Sequence, residues 1–168
     1  MDYKASLDTL GKIISVVVII IFLFIGQRSI RALFVASGDA IIILVHGGLL
    51  IFMAVTLLFC SLYSVQGYGL YDNELIIRRP YKDRIINLTD IAEVRPVEHS
   101  EFLGTIRTFG NGGFFGYYGW YYNTRLGKMH WYVTQRKNRI LIRRNNGEKI
   151  IISPDDSSLA ERLQASSK

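Results

Sequence analysis

The chain has 168 residues, with 20 Lys and Arg against 14 Asp and Glu, and one cysteine. A single cysteine excludes an internal disulfide framework and a cysteine metal site within one chain. The length admits one modest domain beside a membrane segment.

The charges are unevenly spread. Residues 1–65 carry four basic side chains (Lys4, Lys12, Arg28, Arg31) and three acidic ones (Asp2, Asp8, Asp39). Residues 66–168 carry the other 16 basic and 11 acidic groups, an excess of five positive charges. The expected division is a two-helix membrane hairpin over 1–65 and a mildly basic, soluble domain over 66–168. About a hundred residues can bury a core without staples.

Met1 to Gly11 is short and polar enough to lie outside a bilayer. Ile13 to Ile25 is the first apolar run, and its neighbours extend it to a helix over about 10–27. A signal peptide would need an A-x-A-like cleavage site after the run, but GQRSIRALF follows. Gln27 to Asp39 then joins the two runs. Ile30, Leu33 and Phe34 can share a helical face beside Arg28 and Arg31, as in a short interfacial turn of helix.

Ala40 to Val65 is the second run. Its 26 residues contain no Lys, Arg, Asp or Glu, enough to cross the ~30 Å hydrocarbon layer as a helix. A buried core helix is the alternative, disfavoured by length. His46, Gly47 and Gly48 interrupt the run. An intramembrane histidine can relay protons; the simpler expectation is a histidine near the connection, with the glycines allowing close helix approach. Two antiparallel helices put both chain ends on one side. Six flanking basic residues (Lys4, Lys12, Arg78, Arg79, Lys82, Arg84) against Arg28 and Arg31 in the connection favour the cytoplasm for that side. The expected location is the inner, cytoplasmic membrane, multi-pass.

From Tyr68 the pattern becomes one of short β-rich runs, punctuated by Gly, Asn, Asp and Pro. They include 75–77, 84–88, 91–97, 131–134, 139–143 and 149–153. Asn145-Asn146-Gly147 between the last two is a hairpin signal. Ser153 or Asp155 can cap a terminal helix, with Pro154 in its first turn and Leu159, Ala160 and Leu163 on one face. About seven strands and one amphipathic helix predict an antiparallel sandwich or partly open barrel, capped by the helix.

Thr108 to Trp131 is the oddest segment. Nine of the 21 aromatics fall between Phe114 and Tyr132, interleaved with glycines. The glycines form neither a dinucleotide fingerprint nor a P-loop. Aromatics beside glycine can stack bases, pack on one another in a loop, or lie at a membrane interface. Packing is the main expectation, with Phe114, Phe115, Tyr117, Tyr118 and Trp120 as candidate contact residues.

The run from Gly113 to Gly119, Asn123 with Leu126-Gly127, Tyr132-x-Thr134 and Ile152-Ser153-Pro154-Asp155 carry a resemblance. With Leu75 to Pro80, Ile85 to Ile91 and Arg107, the segment from about Tyr68 to Leu163 resembles small bacterial pleckstrin-homology (PH) domain proteins with two N-terminal membrane helices. The resemblance implies a PH-like fold, a bent seven-stranded sandwich with a C-terminal helix. It implies no common ligand or reaction, and fold does not settle function.

No catalytic set is recognisable. His99 and His130 belong to no spaced metal motif, and no serine lies in a nucleophile elbow. No cofactor is expected. Arg78, Arg79, Lys82 and Arg84 surround a turn just past the second apolar run, where anionic headgroups would attract them. With Arg107 they are the candidate ligand-binding residues, by analogy with basic early-hairpin loops in other PH domains. Arg136, Lys137, Arg139, Arg143 and Arg144 form a second basic cluster, read as a solvated face.

The functional expectation is a membrane-anchored, non-catalytic scaffold or adaptor. Its partners would be membrane lipids and a membrane or cytoplasmic protein; a homo-oligomer is compatible. The alternatives are an enzyme with a site in the glycine-aromatic segment near Arg107, or a weak nucleic-acid binder. Nucleic acid ranks last, because a basic excess of five predicts only weak, salt-labile binding.

Overall fold

The computed structural model describes residues 1–36 and 38–166. Two long helices come first, α1 (Thr9–Val35) and α2 (Ala40–Tyr63). Each begins at an aspartate: Asp8 accepts the Gly11 amide at 2.7 Å, and Asp39 accepts the Ile41 amide at 2.9 Å. At ~1.5 Å per residue, α1 is about 40 Å long and α2 about 36 Å. Both are long and apolar enough to cross a membrane by length and composition.

The two helices run antiparallel. Ser29 faces His46, and Gly26 lies opposite Leu50 and Met53. Most of their apolar surface is uncovered: Phe34 is 85% exposed, Leu44 77% and Ile51 66%. A core helix of a globular body would be mostly buried.

Two details differ from the sequence expectation. Residues 27–35 continue α1 rather than forming a separate interfacial turn, because nothing there breaks the helix. Gly47 and Gly48 face open space, and it is Gly26 that lies against the second helix, at Met53 and Leu50. His46 Nδ1 lies 3.2 Å from the buried Ser29 hydroxyl, which gives the histidine a polar partner near the connection.

The rest of the chain is mostly β. A four-stranded sheet has the order β1 (Asp2–Lys4), β2 (Gly67–Leu70), β3 (Glu74–Arg78), β4 (Arg84–Asn87). A six-stranded sheet contains β5 (Ile91–Pro96), β6 (Ile106–Gly113), β7 (Gly116–Asn123), β8 (Gly127–Val133), β9 (Ile140–Arg144) and β10 (Lys149–Ile152). Its order is β5-β9-β10-β8-β7-β6, antiparallel except where β10 lies parallel to β8. A terminal helix, α3 (Ser158–Ser166), follows. Among the described residues the sheets form no closed barrel.

Strand β10 explains the core. Ile150, Ile151 and Ile152 are all fully buried, since a central strand has both faces covered. Ile150 and Ile152 join Tyr68, Leu75, Ile77 and Ile86 of the other sheet, together with Leu159 and Leu163 of α3. Ile151 points the other way, toward Tyr121, Met129, Trp131 and Phe102. A buried polar link ties the first core together: the Tyr68 hydroxyl donates to the Tyr132 carbonyl at 2.7 Å and accepts the Ser153 amide at 3.0 Å.

Ten strands appear among the described residues, where about seven were expected. Asp2–Lys4 is one addition; it pairs antiparallel with β2, so the N-terminal residues complete the body's sheet before α1 begins. The glycine-aromatic segment supplies others: it is the β6–β7 hairpin, not a loop. The Asn145–Gly147 hairpin forms as expected, with Gly147 at positive φ. The terminal helix is capped differently. Asp156 accepts the Ser158 amide at 2.9 Å, while Ser153 is buried and its hydroxyl accepts the Thr134 and Gln135 amides.

Candidate functional site

The β6–β7 hairpin decides where the body meets the helices. Along β7 the side chains alternate. Tyr117 and Tyr121 enter the second core, whereas Tyr118, Trp120 and Tyr122 lie on the opposite face. Gly110 and Gly119 pair across the two strands at φ of +118° each, Cα against backbone. A Cβ on either would overlap the partner strand's carbonyl oxygen.

The hairpin's tip rests on α1. Phe114 and Phe115 form its two-residue turn, with Phe115 at φ +58°. That unusual conformation is held from both sides. Asn111 bonds the Phe114 amide and carbonyl, and the Phe115 amide donates to Ser15 Oγ at 2.9 Å. The Phe114 ring meets Phe22 of α1 edge-on at 6.5 Å.

Further bonds join the body to both helices at one end. The Asp8 amide donates to the Thr134 carbonyl at 3.1 Å, and the Asp8 carboxylate accepts the Tyr117 hydroxyl and pairs with Arg136 at 3.2 Å. At the end of α2, the Tyr118 hydroxyl donates to the Cys60 carbonyl at 2.8 Å, and the Tyr81 amide donates to the Leu62 carbonyl at 3.1 Å.

Between the last two turns of α2 and the outer face of the hairpin lies a groove of about 630 Å³. One wall is Thr56, Phe59, Cys60 and Tyr63, which share a helical face. The other includes Phe109, Tyr118, Trp120, His130 and Tyr132. Trp120 stacks on His130 at 4.4 Å, and His130 tilts against Tyr132 at 4.4 Å. Arg79 and Arg107 also border the groove, and its lining contains no carboxylate.

The candidate basic residues separate here. Arg78 pairs with Asp2 at 2.8 Å and donates to the Tyr71 hydroxyl, so it fastens β1. Arg84 pairs with Glu148 at 3.2 Å. Lys82 is exposed in the β3–β4 turn. Arg79 turns toward α2: its guanidinium lies 5.8 Å from the Tyr63 ring centre and 5.4 Å from that of Tyr132, and its Nε is buried without a hydrogen-bond partner. Arg107 stands opposite Tyr121 in the β6–β7 register, with its guanidinium over Gly112, so it borders the groove from the sheet's edge.

The aromatic candidates separate too. Phe114, Tyr118 and Trp120 line the groove, while Phe115 packs on Phe114 and Tyr117 serves Asp8 on the other face. His130 was not among the candidates. Burial pushes it down to about 4, Glu148 partly offsets this, and Arg84, Arg79 and Lys128 add to the depression. The imidazole is therefore neutral at pH 7. Burial raises the Tyr118 and Tyr132 phenols, so they too are uncharged.

The second basic cluster is not a uniform solvated face. Arg139 is buried over the Phe102 ring at 3.8 Å and lies 3.0 Å from His99 Nδ1; burial lowers its guanidinium to about 10. Arg143 and Arg144 pair with Glu93 and with Asp90 and Glu148. Among the described residues, no cluster of three His, Cys, Asp or Glu could hold a metal ion.

A family model described as a bacterial PH domain matches residues 66–165. The chain belongs to this family. No curated protein and no solved structure matches it. In this bacterial PH domain the groove is built by elements on both sides of the match: α2 precedes it, whereas β6, β7 and β8 lie inside it.

Proposed function

We propose that the chain is a membrane-held, non-catalytic PH-like module that presents its body to lipid headgroups or a partner protein at the cytoplasmic surface. α1 and α2 span the bilayer as an antiparallel hairpin, and the body sits where both helices leave it. The observation that carries this reading is the pair of attachments at one end of the hairpin: Asp8 to Thr134 and Tyr117, and Tyr118 to Cys60. Bonded to both helices, the body has a fixed height and orientation. The β3–β4 turn with Arg79 and Lys82 is then held beside the end of α2, where each exposed basic group gains roughly 1 kcal/mol near an anionic leaflet.

Purification of the full chain from its own membranes after chemical crosslinking, with lipid and protein analysis, tests the role. The expected result is a reproducible lipid or membrane-protein adduct mapping to the body. Turnover of a small molecule by the purified chain, with no such adduct, would overturn the adaptor reading.

A further inference from the structure

We infer that the groove between α2 and the β6–β7 hairpin holds one anionic phospholipid, its phosphate against Arg79 and one acyl chain along Phe59, Phe109 and Phe114. This rests on the reading above that α1 and α2 span a bilayer.

Height is the first argument. Thr56, Phe59, Cys60 and Tyr63 occupy the last two turns of α2, so in a bilayer the groove opens at the boundary between acyl chains and headgroups. Its mouth is apolar and uncovered: Phe59 is 58% exposed and Phe109 77%. Such rings beside a charged rim suit a molecule with a long apolar part and a charged head.

Charge is the second. Arg78 and Arg84 flank the same turn and each has a carboxylate. The Arg79 guanidinium has none among the described residues, although its backbone amide donates to Asp83 Oδ1 at 2.9 Å; its Nε, like that of Arg84, is buried without a hydrogen-bond partner. A buried guanidinium nitrogen without an acceptor is costly, and a phosphate oxygen supplies one in the fork geometry that arginine favours. Lys128 adds charge nearby, its ammonium 4.4 Å from the Trp120 ring centre. No carboxylate lies in the lining itself; Asp83 and Glu148 stand behind it, on the Arg79 amide and beside His130.

Size is the third. A groove of about 630 Å³ falls inside the ~300–1,000 Å³ range of single-ligand sites; it is room for a phosphate and one acyl chain, with the second chain left in the bilayer.

Brominated acyl chains quench tryptophan on contact, and Trp120 lines the groove, whereas Trp131 is buried in the second core. The full chain is reconstituted into phosphatidylcholine vesicles containing a small, equal share of brominated phosphatidylglycerol or brominated phosphatidylcholine. The inference predicts stronger quenching by the phosphatidylglycerol, loss of the quenchable component in Trp120→Phe, and an about tenfold weaker headgroup preference in Arg79→Gln. Arg79→Lys should recover part of the preference, separating loss of charge from loss of fold. Equal quenching by the two lipids, or an unchanged preference in Arg79→Gln, overturns the inference. So does quenching by neither lipid while the chain resists alkaline extraction, the result expected if a protein segment fills the groove. If the chain instead washes off the vesicles, the spanning reading itself fails.

Discussion

The Tyr117 hydroxyl donates to the Asp8 carboxylate at 3.1 Å, joining a strand of the body to the residue that caps the first apolar helix. The same carboxylate pairs with Arg136, and the Asp8 amide bonds Thr134. One side chain thus starts α1 and docks the sheet on it.

Replacing Asp8 should therefore loosen both. Asp8→Ala removes a cap and the acceptor of Tyr117, a loss of about 1–3 kcal/mol. Asp8→Asn keeps a capping oxygen and should lose less. Thermal unfolding of the full chain in mild detergent measures both; equal melting of the three proteins would contradict the docking role.

Tyr68 should be sensitive despite its distance from the groove. Its hydroxyl donates to the Tyr132 carbonyl and accepts the Ser153 amide inside the first core. Tyr68→Phe leaves both groups buried and unpaired, at about 1–3 kcal/mol. Denaturant titration followed by circular dichroism should show a lower midpoint and an unchanged slope.

The hairpin depends on two glycines. Gly110→Ala or Gly119→Ala places a Cβ against the opposite strand's backbone at a φ that L side chains rarely adopt. Each should cost more than about 2 kcal/mol and raise amide exchange across β6 and β7. Alanine at Gly47, which faces open space, should be tolerated.

Stability should fall in mild acid. His130 titrates near 4 in the folded chain against ~6.5 when unfolded, so the unfolded state binds more protons between those values. Its contribution is fully present above about pH 6.5 and is lost as the pH falls toward 4. Denaturation at pH 7.5 and pH 5 should show the drop, and His130→Gln should flatten it. An anionic lipid at Arg79 should raise the His130 titration point, readable by NMR.

Much of this architecture was legible in the sequence, for reasons that also mark where it stopped. The uncharged run from Ala40 to Val65 announces α2, and Leu159, Ala160 and Leu163 announce the inner face of α3. These are local patterns. Asp2-Tyr3-Lys4 has no period of its own and becomes a strand only because Tyr68 and Gly69 lie beside it. Glycine is depleted in strands, so Thr108 to Trp131 reads as a loop, whereas its glycines permit the close backbone approach that the aromatic strand pair needs. Arg78 and Arg79 are adjacent in sequence and end with different partners: one meets Asp2, the other Tyr63 and Tyr132. Those partners come from distant parts of the chain, so basic residues could be nominated as a cluster but not told apart.

The central claim is that α1 and α2 cross a bilayer and hold the body against it. Alkaline extraction of membranes from cells making the full chain, followed by high-speed centrifugation, tests it most directly. The account predicts that the chain stays in the pellet and is released only by detergent. Recovery of the intact chain in the alkaline supernatant would contradict it.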